Sequence, residues 1–410
     1  MKIIQINAAN YLSTGGIMYG ISDFLTENHI ENYTFSKYTK KSLKFSRNNH
    51  YFIGNRFENT LHRYFSWITD FQDYGTVFGT IKLIKKIEKI NPDIVHLHDI
   101  VGWYLNIDIL FNYLKKHNKK IIWTFHDCWA FTGRCIYFDS INCENWKKVC
   151  DKCPQKKYYP GTYFFDNSKW NFIRKKKNFT SISNSNLIIV TPSYWLENLV
   201  SQSFLKDYEC VVINNGIDVS VFKEKDQDYI RNIKNKYLIP ENKKILLGVA
   251  SVWSKRKGLN DFKKLSKILD DDYYIILVGV NEEEIKNNTL SNCKMILRTD
   301  NKDELAALYS MSSIYLNLTY EDNYPTTNLE AIACNTPVIT YNTGGSPESL
   351  ENNCGIVVQQ GNIEEVKNAI NMIVSNEEFY KCNCNKKSDI FYYKNSYKKY
   401  LELYKKMLEE

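Results

Sequence analysis

The segment SIYLNLTYEDNYPTTNLEAIACNTPVITYNTGG, residues 313–345, reads as strand, loop, helix, strand, loop. SIYLNLTY is a short apolar and β-branched run, Pro325 helps to end it, LEAIAC is a helical stretch, and TPVITY is a second strand. Two strands joined through a helix make a parallel crossover unit. The same alternation runs along the whole chain. In the first half, strands are expected at KIIQINA, HYFIG, DIVHLHD, KKIIWTFHD, LIIVTPS and CVVINNG. In the second half they are expected at KKILLGVAS, YYIILVGV, CKMILR, SIYLNLTY, TPVITY and CGIVV. Helical stretches separate them, such as GTVFGTIKLIKKIEKI before Asn91-Pro92. The fold class predicted is α/β, with two doubly wound, Rossmann-like domains, and ligands are expected outside the carboxyl ends of the strands, in a central cleft where the domains face each other.

The bounds agree. A chain of 410 residues exceeds the roughly 250–300 at which single cores stop growing, so two domains are expected. We place them at residues 1–218 and 219–387, joined at the turn NNGID, with a closing amphipathic helix over 388–410 that carries Tyr397, Tyr400, Leu401, Tyr404, Met407 and Leu408 at spacings of three and four. Mean hydropathy is −0.43 and there is no apolar run near 18 residues, which argues against a membrane span. The opening MKIIQINAAN is too short and polar for a signal-peptide core, so a cytoplasmic protein with reduced cysteines is expected.

The net charge of +8 is uneven. Lys37, Lys40, Lys41, Lys44 and Arg47 form one block, and Lys169, Arg174, Lys175, Lys176 and Lys177 a second. Such blocks suit an anionic membrane surface or a phosphorylated partner, and ordinary solvated faces are the alternative. No nucleic-acid motif accompanies them, and no strand is followed by a G-x-G-x-x-G dinucleotide fingerprint.

The loop around Pro325 combines several features. Thr327-x-x-Glu330 has the form of a capping box, which needs no ligand. A helix starting near Thr327 also presents backbone N–H groups and a positive dipole end suited to a diphosphate. Glu330 in its first turn could hold a ribose diol, and Gly344 and Gly345 would let backbone approach a ligand.

The order carboxylate, seven residues, Glu, then AIACNTPVI and a Gly pair resembles the donor-binding signature of retaining glycosyltransferases of the GT-B fold, the large family that includes sucrose synthases and bacterial capsule and lipopolysaccharide enzymes. The two acids are Asp322 and Glu330. The first is more often Glu in that family, and Glu321 stands beside it. STGGIMYGISDFL is similar to the family's Gly-rich loop after the first strand, which would put Gly15 and Gly16 at the donor phosphates. FHDCWAFTG resembles its His-bearing loop, which implies His126 near the transferred sugar. SVWSKRKGLNDF resembles the loop whose basic pair grips the diphosphate. Lys257 matches the family Lys. The Arg usually five residues earlier is Val252 here, which leaves Arg256 or Lys255 to serve.

The resemblance implies transfer of a sugar from a nucleotide diphosphate sugar, UDP or GDP type, to a hydroxyl of a growing cell-surface polysaccharide or lipid-linked oligosaccharide, with retention. His126, Arg256, Lys257 and Asp322 would be catalytic. Thr326, Thr327, Asn328, Leu329 and Glu330 would bind donor with Gly15 and Gly16. No catalytic metal is expected, because fixed positive groups replace it. The acceptor would be held at the inner face of the membrane, with which the protein would associate peripherally. A GT-B sugar-nucleotide epimerase and a noncatalytic binding partner in an assembly complex stay open.

The insert over residues 133–155, GRCIYFDSINCENWKKVCDKCPQ, places Cys135, Cys143, Cys150 and Cys153 at spacings of seven, six and two. Four thiols with one C-x-x-C suggest a structural zinc that folds an irregular insert, with reduced packing thiols as the other reading. This transfer chemistry requires no thiol.

Overall fold

The computed structural model describes residues 1–287, 290, 292–350 and 353–409. It divides into two compact units, Met1–Asn214 with the chain from Ser396 onward, and Asn215–Asn395. The division falls inside the NNGID turn, four residues before the boundary expected at 218/219.

The first unit is built on β1 (Lys2–Asn7), β2 (Glu31–Lys37), β3 (His50–Ile53), β4 (Ile94–Leu97), β5 (Lys120–Thr124), β6 (Leu187–Thr191) and β7 (Glu209–Val212). They form one parallel sheet in the order β3-β2-β1-β4-β5-β6-β7. The inner strands read as near-continuous apolar runs because helices cover both faces. β2 is absent from the expected strands. Its residues Asn32, Thr34 and Ser36 are polar yet buried, and Thr34 and Ser36 are satisfied by the His50 ring across the β2–β3 pair, at 2.8 and 3.0 Å. Side-chain pairing rather than β-branched apolar surface makes this strand.

The second unit holds β8 (Lys244–Val249), β9 (Tyr273–Val278), β10 (Cys293–Ile296), β11 (Ile314–Asn317), β12 (Val338–Tyr341) and β13 (Gly355–Val358). All pair in parallel, in the order β10-β9-β8-β11-β12-β13. In each sheet the chain first runs outward and then returns to the other side of its first strand. The strand order thus reverses between β1 and β4 in one unit and between β8 and β11 in the other. At such reversals the loops beyond the carboxyl ends of the two strands part and leave room for a ligand.

The last helix spans Tyr393–Glu409 and buries Tyr397, Tyr400, Leu401, Leu403, Tyr404 and Met407; Leu408, expected on that face, is exposed. From Ser396 on it packs with the first unit, where Tyr404 Oη lies 2.7 Å from His96 Nδ1 on β4 and Tyr400 Oη lies 3.0 Å from Thr124 Oγ1 on β5. The closing helix expected over 388–410 thus begins at Tyr393, and residue 410 lies outside the described residues.

The basic blocks are only partly surface. Arg174 and Lys175 are buried. Arg174 Nε meets both Asp108 oxygens at 2.9 Å and its other nitrogens reach the carbonyls of Gln72 and Asp73. Lys175 Nζ donates to the carbonyls of Trp129 and Thr132, and burial lowers its pKa to about 7. Lys37 Nζ donates to the Gly102 carbonyl at 2.6 Å. These three cations pin loops, and the expectation of two intact cationic patches is corrected accordingly. Lys169, Lys176 and Lys177 in one block and Lys40, Lys41, Lys44 and Arg47 in the other remain exposed.

Candidate active site

In the second unit the loops after β8 and β11, neighbours in the sheet, are clamped together. Lys257 Nζ meets Asp322 Oδ2 at 2.8 Å, Arg256 Nη1 donates to the Glu321 carbonyl at 2.5 Å, and Tyr320 N–H donates to the Arg256 carbonyl at 2.8 Å. Burial pushes the Asp322 carboxyl up, but Lys257, Arg256 and the Asn323 N–H outweigh it and hold it below the usual range. Gly258, with φ +75°, makes this approach possible, since a Cβ there would stand 2.0 Å from the Leu318 carbonyl oxygen. Val252, at the position of the family's usual Arg, is exposed and carries no charge. Arg256 contributes the second cation, and it reaches back to backbone.

The helix Thr326–Ala333 begins at Pro325 with no side-chain cap. The capping-box alternative is therefore overturned: Thr327 is the second helical residue and Glu330 the fifth, beyond the first turn where it was expected. Glu330 Oε2 instead accepts the Tyr309 hydroxyl at 3.2 Å. Burial pushes the Glu330 carboxyl up to about 7, against the lowering effects of Tyr309 and Lys302. Buried Asn328 fixes the start of the helix by accepting from Asn317 Nδ2 at 2.7 Å and donating to Ser349 Oγ at 2.9 Å. Thr326 and Thr327 are half-buried, and Leu329 is buried in the core, so Leu329 can offer a ligand only its backbone. Gly344 was expected to leave room for a ligand. Its φ is +53°, and a Cβ would stand 1.8 Å from the Asp322 carbonyl oxygen, so its space is filled by the loop that carries Asp322.

In the first unit, Gly15 and Gly16 were expected in a loop and lie inside the helix Leu12–Glu27. A Cβ on Gly15 would meet the Asn10 carbonyl carbon at 2.7 Å, whereas one on Gly16 would meet nothing within 4 Å. Gly15 lets the loop after β1 fold over the helix; Gly16 opens onto free space. Across the strand-order reversal, Asn7 Oδ1 accepts the Asp99 N–H at 3.2 Å.

His126 follows β5 and stacks on His98, with ring centroids 5.5 Å apart. His98 Nδ1 lies 3.2 Å from His126 Nε2, and His98 Nε2 lies 3.1 Å from Gln5 Oε1. With Gln5 Oε1 as acceptor, His98 carries its proton on Nε2 and takes one from His126 Nε2–H. Burial first, then the neighbouring imidazoles His96 and His126, hold His98 well below its ordinary pKa; burial also lowers His126, against Asp99. The string is neutral and fixes the His126 ring. Asp127 beside it is raised well above the carboxylate range by burial and then by Asp99. His98, Asp99 and Asp127 escaped the sequence reading, although VHLHD places His96 and His98 on one side of β4.

In the insert, Cys135 and Cys153 have their sulfurs 3.8 Å apart, and Cys150 Sγ accepts the Gly133 N–H at 3.1 Å. Among the described residues no three His, Cys, Asp or Glu side chains are grouped to hold a metal ion. The insert is pinned to the body by the buried pair Arg134 and Asp70, 3.3 Å apart.

Solved structures share this architecture. Sucrose-phosphate synthase from Thermosynechococcus elongatus superposes with a TM-score of 0.71 at 14% identity, over 100% of this chain and 99% of that one. A glycosyltransferase from Rickettsia africae gives 0.71 at 19%, over 100% and 99%. Anabaena HepE, solved in complex with UDP, gives 0.69 at 12%, over 98% and 99%. Two doubly wound parallel sheets of this kind define the GT-B class. Residues 230–389 match the family described as glycosyl transferases group 1, and residues 48–221 match glycosyltransferase family 4. Each family model covers less than half of the chain, one in each unit, and the architecture is that of GT-B glycosyltransferases. Among curated relatives, the putative colanic acid biosynthesis glycosyl transferase WcaC of Escherichia coli is 25% identical over 66% of this chain and 64% of its own length. The capsular polysaccharide glycosyltransferase CapM of Staphylococcus aureus is 20% identical over 44% and 50%. The matches thus span half to two thirds of these relatives.

Proposed function

We propose that the protein is a retaining glycosyltransferase. It moves a sugar from a nucleotide diphosphate donor, UDP or GDP type, to a hydroxyl of a cell-surface polysaccharide or lipid-linked oligosaccharide under construction. The observation that carries this reading is the clamp at the β8/β11 strand-order reversal, where Lys257, Arg256 and an uncapped helix start converge. Charge on a departing diphosphate is what the transfer must stabilise, and fixed cations and helix N–H groups supply that. On this reading no catalytic metal is needed.

The leaving phosphate takes the acceptor proton on the face it vacates, so the protein contributes positioning and electrostatics. Lys257 and Arg256 stabilise the diphosphate, assisted by the backbone N–H groups of Thr326 and Thr327 at the helix start and by the open approach at Gly16, with Gly15 shaping the loop. Glu330, once ionised, accepts the ribose hydroxyls; Asp322 lies at the sugar or phosphates and holds Lys257 in place; His126, fixed by His98, orients the sugar. A lipid-linked acceptor implies peripheral association with the inner face of a membrane. Among the described residues no helix is long and apolar enough to cross one. WcaC, CapM and a Campylobacter jejuni enzyme named for a diphospho-undecaprenol acceptor support this choice of acceptor.

The cysteines support a structural zinc. Tetrahedral zinc with Zn–S bonds of about 2.3 Å sets neighbouring sulfurs about 3.8 Å apart, the separation of Cys135 and Cys153. Closure requires Cys143 and Cys150 to move in.

Thermal unfolding of the wild type and Glu330→Ala against UDP, GDP, CDP and ADP tests the donor site. A nucleotide at 100 times its dissociation constant stabilises the native state by about 2.7 kcal/mol. One nucleotide is expected to act on the wild type and lose most of its effect on the variant. No response to any of the four overturns the reading.

A further inference from the structure

The helix Arg56–Thr69 is inverted. Its buried side is polar, made by Asn59, His62 and Ser66. His62 is held between Thr76 Oγ1 at 2.8 Å and the Gly75 N–H at 3.1 Å, and Ser66 Oγ donates to the Phe71 carbonyl at 2.9 Å. Its outward side carries Phe57, Leu61, Tyr64, Phe65 and Ile68, all exposed, with Phe57 at 73%. A helix that folds by burying its polar face and leaves an apolar stripe in water has that stripe for another medium.

The stripe does not stand alone. Trp67 of the same helix packs edge-on against Tyr64, Trp103 and Tyr163, and Phe71 joins Phe65 to Tyr74 and Trp170. The Tyr163 and Phe165 N–H groups bond to the Trp67 and Ile68 carbonyls, which sets the exposed run Tyr163, Phe164, Phe165 beside the helix end. Four separate stretches of the first unit thus form one aromatic face.

Its margin is mostly cationic. Arg56 and Lys169 are exposed at its margin, and Arg63 lies over the Tyr64 and Trp67 rings at 5.3 and 5.0 Å. Of the acids nearby, Asp151 lies 3.8 Å from Lys169, while Glu58 bonds to the Gly79 N–H and Asp166 to the N–H groups of Cys153 and Ser168.

We propose that this face beds into the headgroup boundary of an anionic lipid bilayer, with the helix Arg56–Thr69 lying in the membrane plane. Aromatic rings with polar tips, aliphatic side chains and marginal cations are the combination that binds such an interface. The inference deepens the reading of a lipid-linked acceptor and replaces the two basic blocks, half interior, by a specific surface.

The test is co-sedimentation of the full chain with vesicles of phosphatidylcholine alone or mixed with phosphatidylglycerol, without nucleotide. The wild type is expected to bind the mixed vesicles. Phe57→Ser/Leu61→Ser/Phe65→Ser, at exposed positions, should bind at least tenfold more weakly with an unchanged melting temperature. Arg56→Gln/Arg63→Gln should lose affinity only for the anionic vesicles. Equal binding by wild type and the triple variant overturns the proposal. So does a wild type that ignores vesicles but forms a dimer that the triple variant abolishes, which would assign the face to a second copy. Nucleotide-induced stabilisation, measured on the same samples, keeps this outcome separate from that of the donor site.

Discussion

Replacing Glu330 by Gln should make the free protein more stable and unable to hold its nucleotide. The Glu330 carboxyl is raised from an ordinary 4.5 to about 7, mainly by burial. The folded state therefore binds the proton more tightly than the unfolded chain, and native stability falls as pH rises from about 4.5 to about 7. A displacement of about 2.5 pH units corresponds to about 3 kcal/mol at full effect. The side chain is half-buried, so water screening makes this a ceiling. Gln presents an amide oxygen that can still accept the Tyr309 hydroxyl, and it carries no charge to desolvate. The expected gain over wild type is a few tenths of a kcal/mol at pH 4, rising to about 2–3 kcal/mol at pH 8. For a domain of this size that is a rise in Tm of roughly 4–12 °C. Thermal unfolding of both proteins between pH 4 and 8, with and without the stabilising nucleotide, reads both halves. A Gln variant whose advantage does not grow with pH, or which keeps the full response to nucleotide, would refute the reasoning.

Lys257→Met should lower kcat/KM by about 10²–10³ and raise the Asp322 pKa, seen as a new acidic limb in the pH profile; an unchanged profile would separate Lys257 from the diphosphate. Gly258→Ala should destabilise the second unit by about 2–4 kcal/mol in denaturant unfolding, because the Cβ meets the Leu318 carbonyl in a left-handed backbone, and wild-type stability would show that the loop relaxes freely. His98→Gln should lower kcat about tenfold and leave nucleotide-induced stabilisation intact, since it acts through His126; an unaffected kcat removes it from the site. Elemental analysis should find about one zinc per chain, lost in Cys150→Ser/Cys153→Ser with a lower Tm, whereas metal-free protein with four reactive thiols would leave the cysteines as packing groups.

Twelve of the thirteen strands among the described residues were legible because parallel strands buried on both faces must be written in apolar, β-branched letters. β2 was not, since its inward Asn32, Thr34 and Ser36 are polar and are satisfied by side chains, Ser22 and Thr26 for Asn32 and the His50 ring for the other two, which leaves no apolar alternation to read. The loops were legible through the family resemblance and because ligands sit beyond strand ends: KRKG and EDNYP follow two strands that the sheet makes neighbours. What the letters could not show is direction. TTNLE spells a capping box, yet Glu330 turns to Tyr309. GG promises an opening, yet Gly344 is filled by the Asp322 carbonyl. A run of cations spells a patch, yet Arg174 and Lys175 point inward. The inverted helix was hidden likewise, because its periodicity is that of any amphipathic helix, and only the packed body decides which face is outside.

The return of the chain from Ser396 to the first unit sets a schedule for its synthesis. His96 and Thr124 sit in the middle of the first sheet, and the hydroxyls that meet them belong to Tyr404 and Tyr400. Those tyrosines are made only after the whole of Asn215–Asn395, which at about 5–20 residues per second takes roughly 10–40 s. On the ribosome the amino-terminal unit thus waits with the buried His96–Thr124 pair, 2.8 Å apart, still lacking its outer hydroxyl partners. The half made first thus receives its last core contacts only after the other half has been made.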